Sequence, residues 1–286
     1  MNHAQLRSFH AVAQAGGFTA AGRAIGLTQP AVTVQVKALE TSYGVELFFR
    51  QGRGVRLTRA GEELFTMTRR LFALEDEARD FLEAEGDMST GVLHLAADGP
   101  FHIITLVHEI RRVLPKLEVK VSIGNSANVR DALLDYQAEI GVLGGDVTDK
   151  RFSILSARRH PVILMMAADH PWAERAQVHI KELDGQPMIL REAGSGTRRS
   201  FEKALKKSRV RPNHILEIGS REAVREAVAA GLGLSVVQAP ELGADTRIAS
   251  CPIEGQDIST GEAVVCLRER LQSPLIRRIT SLIEEL

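Results

Sequence analysis

Only two cysteines, one tryptophan and two tyrosines occur in 286 residues, and acidic and basic side chains balance at zero net charge. Two thiols, Cys251 and Cys266, cannot staple a disulfide-dense fold, so reduced and partly buried side chains are expected, with a redox pair as the alternative. The nine histidines are scattered without CxxC or HxxxH spacing, and neither a metal site nor a resident cofactor is expected. GxSxG and Walker sequences are missing as well, which disfavours an enzyme. No apolar run reaches the roughly 18 residues of a membrane span, and no charged segment followed by an apolar run opens the chain. A cytoplasmic protein without a membrane partner is expected.

What is present is an ordinary globular composition, 44% apolar and 25% charged, with length for two or more domains. The zero net charge conceals an uneven distribution. Residues 1–60 hold Arg7, Arg23, Lys37, Arg50, Arg53, Arg56 and Arg59 against Glu40 and Glu46. This basic head suits a polyanion, and the remainder is correspondingly acidic.

Within the head, residues 18–40 read FTAAGRAIGLTQPAVTVQVKALE. Thr19 is a candidate cap for a short helix whose Ala20, Ala21 and Ala24 permit close packing, and Gly26 allows a tight turn. Thr28 opens a second helix with Pro30 in its first turn and Val32, Val36 and Leu39 on a buried face. A helix-turn-helix is predicted, its second helix suited to the DNA major groove, with Thr28, Gln29, Pro30, Thr33, Val34 and Lys37 towards DNA. An earlier helix over 4–15 supports it through Leu6, Phe9 and Ala13, with Val12 at the margin. Residues 43–58, YGVELFFRQGRGVRLT, supply an apolar run, a turn and an alternating strand, a hairpin wing whose Arg50, Arg53 and Arg56 suit phosphate contacts.

Together LTQPAVTVQVKALE, LFFRQGRGVRLT and the AG that follows resemble the winged helix-turn-helix of the LysR-type transcriptional regulators. The resemblance is specific over residues 1–60 and extends more loosely along the chain. Where that family often carries a serine followed by an arginine, this sequence has Thr33 and Val34; apolar contact with a thymine methyl is the corresponding expectation at position 34. The resemblance implies double-stranded DNA and RNA polymerase as partners, a homotetramer, and control of a neighbouring gene.

Thr58 can cap a long helix to about Glu85. Leu64, Met67, Leu71, Leu74, Ala78 and Phe81 recur in it at alternating three- and four-residue steps, a heptad seam that predicts a dimerisation helix. A two-fold dimer would read interrupted inverted repeats. The expected organisation is a DNA-binding domain over 1–58, a linker helix over 59–86, a hinge over 87–91, one effector lobe over 92–160 and 268–286, and a second over 161–267.

Beyond the hinge, strand and helix patterns alternate twice, and VRDAL at 129–133 is echoed by VREAV at 224–228. The overall class is α/β, with an all-α winged head and two similar lobes enclosing a cleft. That layout resembles the periplasmic-binding-protein-like effector domain of the same family. Residues 158–167 should make the first crossing and 261–267 the return, with the last helix, 274–286, packing on the first lobe.

Ligands in open α/β sheets bind where strands lead into helix N-termini. Four such loops stand out, carrying Asp98, Gly99 and Pro100; Ser126 and Asn128; Ser195, Gly196, Thr197 and Arg198; and Ser220. Their backbone N–H groups and hydroxyls suit a small anion or zwitterion, with Gln238 on the far wall and Asp98 available to an ammonium or as a cap. The leading expectation is a transcription factor responding to a small-molecule effector. The alternatives are a redox-sensing regulator acting through Cys251 and Cys266, and a solute-binding receptor without a DNA role.

Overall fold

The computed structural model describes residues 1–51, 54–87 and 91–284. Arg53 and the side chains of Arg50 and Phe81 lie outside that description. Contacts divide the chain into two compact units, residues 1–86 and 87–286.

In the first unit, α1 (His3–Ala15), α2 (Phe18–Ile25) and α3 (Gln29–Tyr43) enclose a core with Phe9, Val12, Ala21, Val32, Val36 and Leu39 at its centre. Val12 is fully buried rather than marginal, because the first helix is covered from two sides. Thr19 does not cap α2. The helix starts one residue earlier, and Gly17 occupies the N-cap without a side-chain bond. Ala20 and Ala24 are exposed; the close approach is made by Gly22, where a Cβ would lie 2.7 Å from the Leu27 carbonyl oxygen. Gly26 takes the left-handed conformation (φ 70°) that closes the turn.

The hairpin β1 (Phe48–Gln51) and β2 (Gly54–Leu57) follows as an antiparallel pair. Thr58 then caps α4 (Arg59–Asp87): its hydroxyl accepts from Gly61 N at 3.0 Å and donates to Glu46 O at 2.7 Å. Leu64, Phe65 and Phe72 of α4 join the core of the first unit.

One eight-stranded sheet runs through both lobes of the second unit, beside a separate two-stranded parallel sheet. Parallel β3 (Val92–Ala97), β4 (Glu118–Ile123) and β5 (Ile140–Gly144) alternate with α5 (Pro100–Val113) and α6 (Ser126–Leu134). Both helices start about three residues before the periodic apolar positions begin, because Pro100 and Asn125 already satisfy the first turn. The first crossing is longer than its apolar half suggested. It is the single 16-residue strand β6 (Phe152–Ala167).

In the second lobe come the two-residue strand β7 (Val178–His179), then β8 (Pro187–Arg191), α7 (Gly196–Ser208), β9 (Asn213–Ile218), α8 (Arg221–Ala229) and β10 (Ser235–Gln238). There β10 and β11 (Ile248–Glu254) pair with β6. The return, β12 (Ser259–Leu267), runs antiparallel to β6 over its length, while Glu262–Cys266 also pair with β5. The end of the 161–267 stretch therefore lies in the first lobe's sheet. The final helix α9 (Pro274–Glu284) packs Ile276, Ile279 and Ile283 against the strands of that lobe.

Candidate nucleic-acid and effector sites

The N-terminus of α3 is built for display. Thr28 caps it by accepting from Ala31 N, and Pro30 occupies the first turn, where a missing N–H leaves no carbonyl unpaired. With Val32, Val36 and Leu39 inward, Gln29, Pro30, Val34 and Lys37 stand exposed and Thr33 half-exposed. Gln29 Nε2 donates to Thr33 Oγ1 at 2.9 Å, fixing the direction of a side chain that can hydrogen-bond a base edge. Val34 is 67% exposed, an apolar tip on a polar face. Arg56 is exposed on β2.

Of the two acidic residues that dilute the head's charge, Glu40 has its carboxylate engaged and Glu46 acts through its main chain. Glu40 Oε1 on α3 accepts from Leu47 N at 2.8 Å and Phe48 N at 3.4 Å, binding the reading helix to the start of the wing. Glu46 contributes its carbonyl to Thr58.

In the second unit the predicted loops converge on one interlobe seam. Asp98 Oδ2 accepts from Ser126 Oγ and from Gly144 N, both at 2.6 Å, so it laces together the ends of three elements of one lobe rather than capping α5. Across the seam Gly196 lies so near that a Cβ would stand 2.4 Å from Gly144 O; a Cβ on Gly194 would meet the Asn125 amide. Gly99 is buried against Arg221 and Glu241 of the second lobe, while Pro100 is exposed.

Several predicted donors are committed elsewhere. Ser195 and Ser220 cap α7 and α8 by accepting from Arg198 N and Ala223 N. Asn128 completes a capping box with Asn125. The Arg198 guanidinium bonds to Glu202, Glu217 and Arg191 O within its own lobe. Thr197 is buried, and Gln238 is buried with Oε1 lacking a partner among the described residues.

The surroundings of the seam are charged in two opposite ways. One region is acidic and largely buried. Arg221 meets Glu241 at 3.0 Å, and His102 Nε2 lies 2.7 Å from Glu262 Oε2. Burial, against the pull of Arg221 and with added repulsion from Asp98 and Glu262, pushes the Glu241 carboxyl up to about 7. The other is a cavity of about 620 Å³ lined by Arg130, Arg159, Arg199, Lys203 and Lys207 beside Gly196, with Asp146 and Asp257 as its acidic members. Asp146 is paired with Arg159 at 2.9 Å. Arg199 reaches Gly194 O at 2.9 Å, and its pKa is lowered by burial and the nearby Arg130.

Comparison with known proteins decides the family. Residues 3–62 match the family description "Bacterial regulatory helix-turn-helix protein, lysR family", and residues 86–286 match "LysR substrate binding domain". The chain belongs to the LysR family. This LysR-family regulator is 29% identical over 256 residues to the transcriptional activator CmpR of Synechocystis, covering 88% of this chain and 84% of that protein. A full-length OxyR variant from Pseudomonas aeruginosa shares its fold at TM-score 0.78 and 24% identity, over 99% of this chain and 95% of that one. CbnR complexed with its target DNA does so at TM-score 0.71 and 22% identity, over 100% and 99% of the two chains.

The family identity supports a DNA-binding transcriptional regulator with an effector-binding domain, the reading expected from the motif. The redox alternative finds no support in the geometry. Cys251 belongs to the core of the second lobe and Cys266 to that of the first, and both are buried free thiols. Burial pushes the Cys266 thiol up to about 11 and raises that of Cys251. Neither is a ready thiolate. The solute-receptor alternative leaves the first unit unexplained. No helix among the described residues is long and apolar enough to cross a membrane.

Sequence reasoning missed Glu40, Arg221, Glu241, the His102–Glu262 contact and the basic cavity. In the sequence Glu40 stands out only as a charge against the basic head. The cavity had a faint signal in the Arg198, Arg199, Lys203 and Lys207 of α7, three of which fall on one side at helical spacing.

Proposed function

We propose that this regulator binds interrupted inverted repeats of duplex DNA as a homodimer or homotetramer, and that a small anionic metabolite in the basic cavity changes the operator complex and polymerase access. The observation that carries the DNA half is the exposed face of α3. Gln29, Thr33, Val34 and Lys37 stand clear of a helix whose opposite side is entirely core. Gln29 suits an adenine, Val34 a thymine methyl and Lys37 a phosphate or guanine. Arg50, Arg53 and Arg56 of the wing suit the backbone, which positions without specifying.

Pairing of protomers is supported by α4. Leu64 turns into its own unit's core, while Met67, Leu71, Leu74 and Ala78 remain exposed on the heptad seam. Such a stripe is what a second copy would cover.

For the effector, Arg130, Arg199 and Lys203 bring like charges together beside α7, with Arg199 deprived of full hydration. An anion there relieves their repulsion. It would touch both lobes, since the lining draws Arg130 and Gly145 from one and Gly196 and Arg199 from the other. A ligand that binds one arrangement of the lobes more tightly shifts the population towards it.

Gel shifts on an inverted repeat, with and without a panel of small anions, test both halves. Gln29→Ala should relax base discrimination by about 1–3 kcal/mol at one position. Lys37→Ala should weaken all duplexes together and reduce the salt slope by about one. Arg199→Ala should abolish the anion-induced thermal shift while leaving DNA binding without effector unchanged. Unaltered discrimination in Gln29→Ala would remove the assigned reader, and an anion response indifferent to Arg199 would remove the assigned cavity.

A further inference from the structure

His102, His160 and Glu262 come from three different elements, the first turn of α5 and the two strands β6 and β12. One ligand atom from each lies within 4.8 Å of the others. We propose that these three side chains form a binding site for a divalent first-row transition ion of the zinc, cobalt and nickel group.

The backbone prepares the site. In the antiparallel register His160 faces Thr260 and Arg158 faces Glu262. Opposed residues share a face and so do residues two apart, so His160 and Glu262 rise from the same side of the ribbon. His102 approaches from α5, its ring stacked on that of His160 at 5.1 Å between centroids and 22° between planes. Glu262 is buried, and His102 and His160 are partly so.

The donors are in place but unsatisfied. The Nε2 atoms of His102 and His160 are both buried without a hydrogen-bond partner among the described residues. His102 Nε2 comes within 2.7 Å of Glu262 Oε2, a Coulombic approach without the alignment of a hydrogen bond. Buried polar nitrogens in that condition are costly unless something else binds them. An ion bound through both nitrogens and one carboxylate oxygen would satisfy all three groups.

The donor chemistry selects the ion. Calcium and magnesium call for oxygen donors, whereas two imidazoles and a carboxylate suit zinc and its neighbours at about 2.0–2.2 Å. Two donor atoms about 2.1 Å from a tetrahedral ion stand about 3.4 Å apart. The widest separation allowed here, 4.8 Å, closes to that with side-chain rotations that move the outlying donor by about 1.4 Å, and the 2.7 Å His102–Glu262 approach opens to it. Three protein ligands leave a position for water or an oxygen donor of a bound molecule. The nearby charges are mixed: Glu241 feels Asp98 and Glu262 against Arg221 and Arg191, and Arg158 stands opposite Glu262 in the strand register. Anion binding in the basic cavity and DNA reading use other residues, so the metal site stands or falls apart from them.

Calorimetry with zinc chloride on the chelator-treated full chain, in the absence of DNA, tests the assignment. One ion per chain at micromolar affinity or tighter is expected. His160→Ala and Glu262→Gln should each weaken binding by at least about tenfold, and His108→Ala, which alters an exposed imidazole, should leave it unchanged. Cobalt titration supplies a second readout, since the parent should develop the visible absorption of a low-symmetry nitrogen–oxygen site that both variants lose. His160→Gln replaces His160→Ala if circular dichroism shows the alanine variant to be unfolded. Zinc binding undiminished in folded variants, or none by the parent at about 100 μM, would overturn the site.

Discussion

Individual residues decide how closely the pieces of the head approach one another. At Gly22 a methyl group would meet the backbone oxygen of Leu27 at 2.7 Å, and backbone cannot move aside as a side-chain tip can. Gly22→Ala should therefore lower the stability of the first unit by about 1–3 kcal/mol, measured by urea denaturation. His10 sets a pH dependence in the same unit. Its Nδ1 is hydrogen-bonded to Thr68 Oγ1 at 3.0 Å, and its ring packs against those of Phe65 and Phe72. Burial, assisted by Arg69, lowers its pKa from 6.5 to about 4. Between those values the unfolded chain binds the extra proton, so stability should fall as pH drops from about 6.5 towards 4 and level off below. His10→Gln should flatten that slope in thermal melts. Neither effect could be read from the sequence. The alanines around Gly22 looked equally suited to close packing, and His10 stood among nine scattered histidines; only the tertiary arrangement shows which glycine has no room and which imidazole is dry.

Elements were legible where their signals are local. The caps at Thr28 and Thr58, the turn at Gly26 and the apolar spacing of α3 all act within a few residues, and the helices lie where those signals put them. The starts of α5 and α6 were less legible because capping and proline, rather than apolar spacing, determine them. The heptad run of α4 has two fates. Its first leucine belongs to the unit's own core, and the next three apolar positions face outward. Replacing Leu71 and Leu74 together with aspartate should halve the mass measured by light scattering and weaken operator binding. Helical content should remain, since both side chains are exposed within the unit. A parent already monomeric would remove the pairing role of this helix.

At the scale of the whole effector unit, the repeat of strand and helix was visible, but the convergence at the seam was not. His102, His160 and Glu262 are separated by 58 and 102 residues, and no spacing rule connects positions brought together by a strand register. The same holds for Gly196 against Gly144, which meet only because α7 abuts the end of β5. Gly196→Ala should wedge the two lobes apart, lowering the melting temperature of the second unit and altering anion affinity. Gly219→Ala, with open space around its Cα, serves as the matched control.

One strand, β6, serves both lobes of the eight-stranded sheet, and its neighbour β12 accompanies it past the seam into the pairing with β5. Two hydrogen-bonded strands laid side by side resist bending in their plane far more than rotation about their length. The deformations left soft in this receptor are accordingly flexing out of that plane and twisting, like those of a flat spring, and the ribbon steers any shift of the lobes into those two motions.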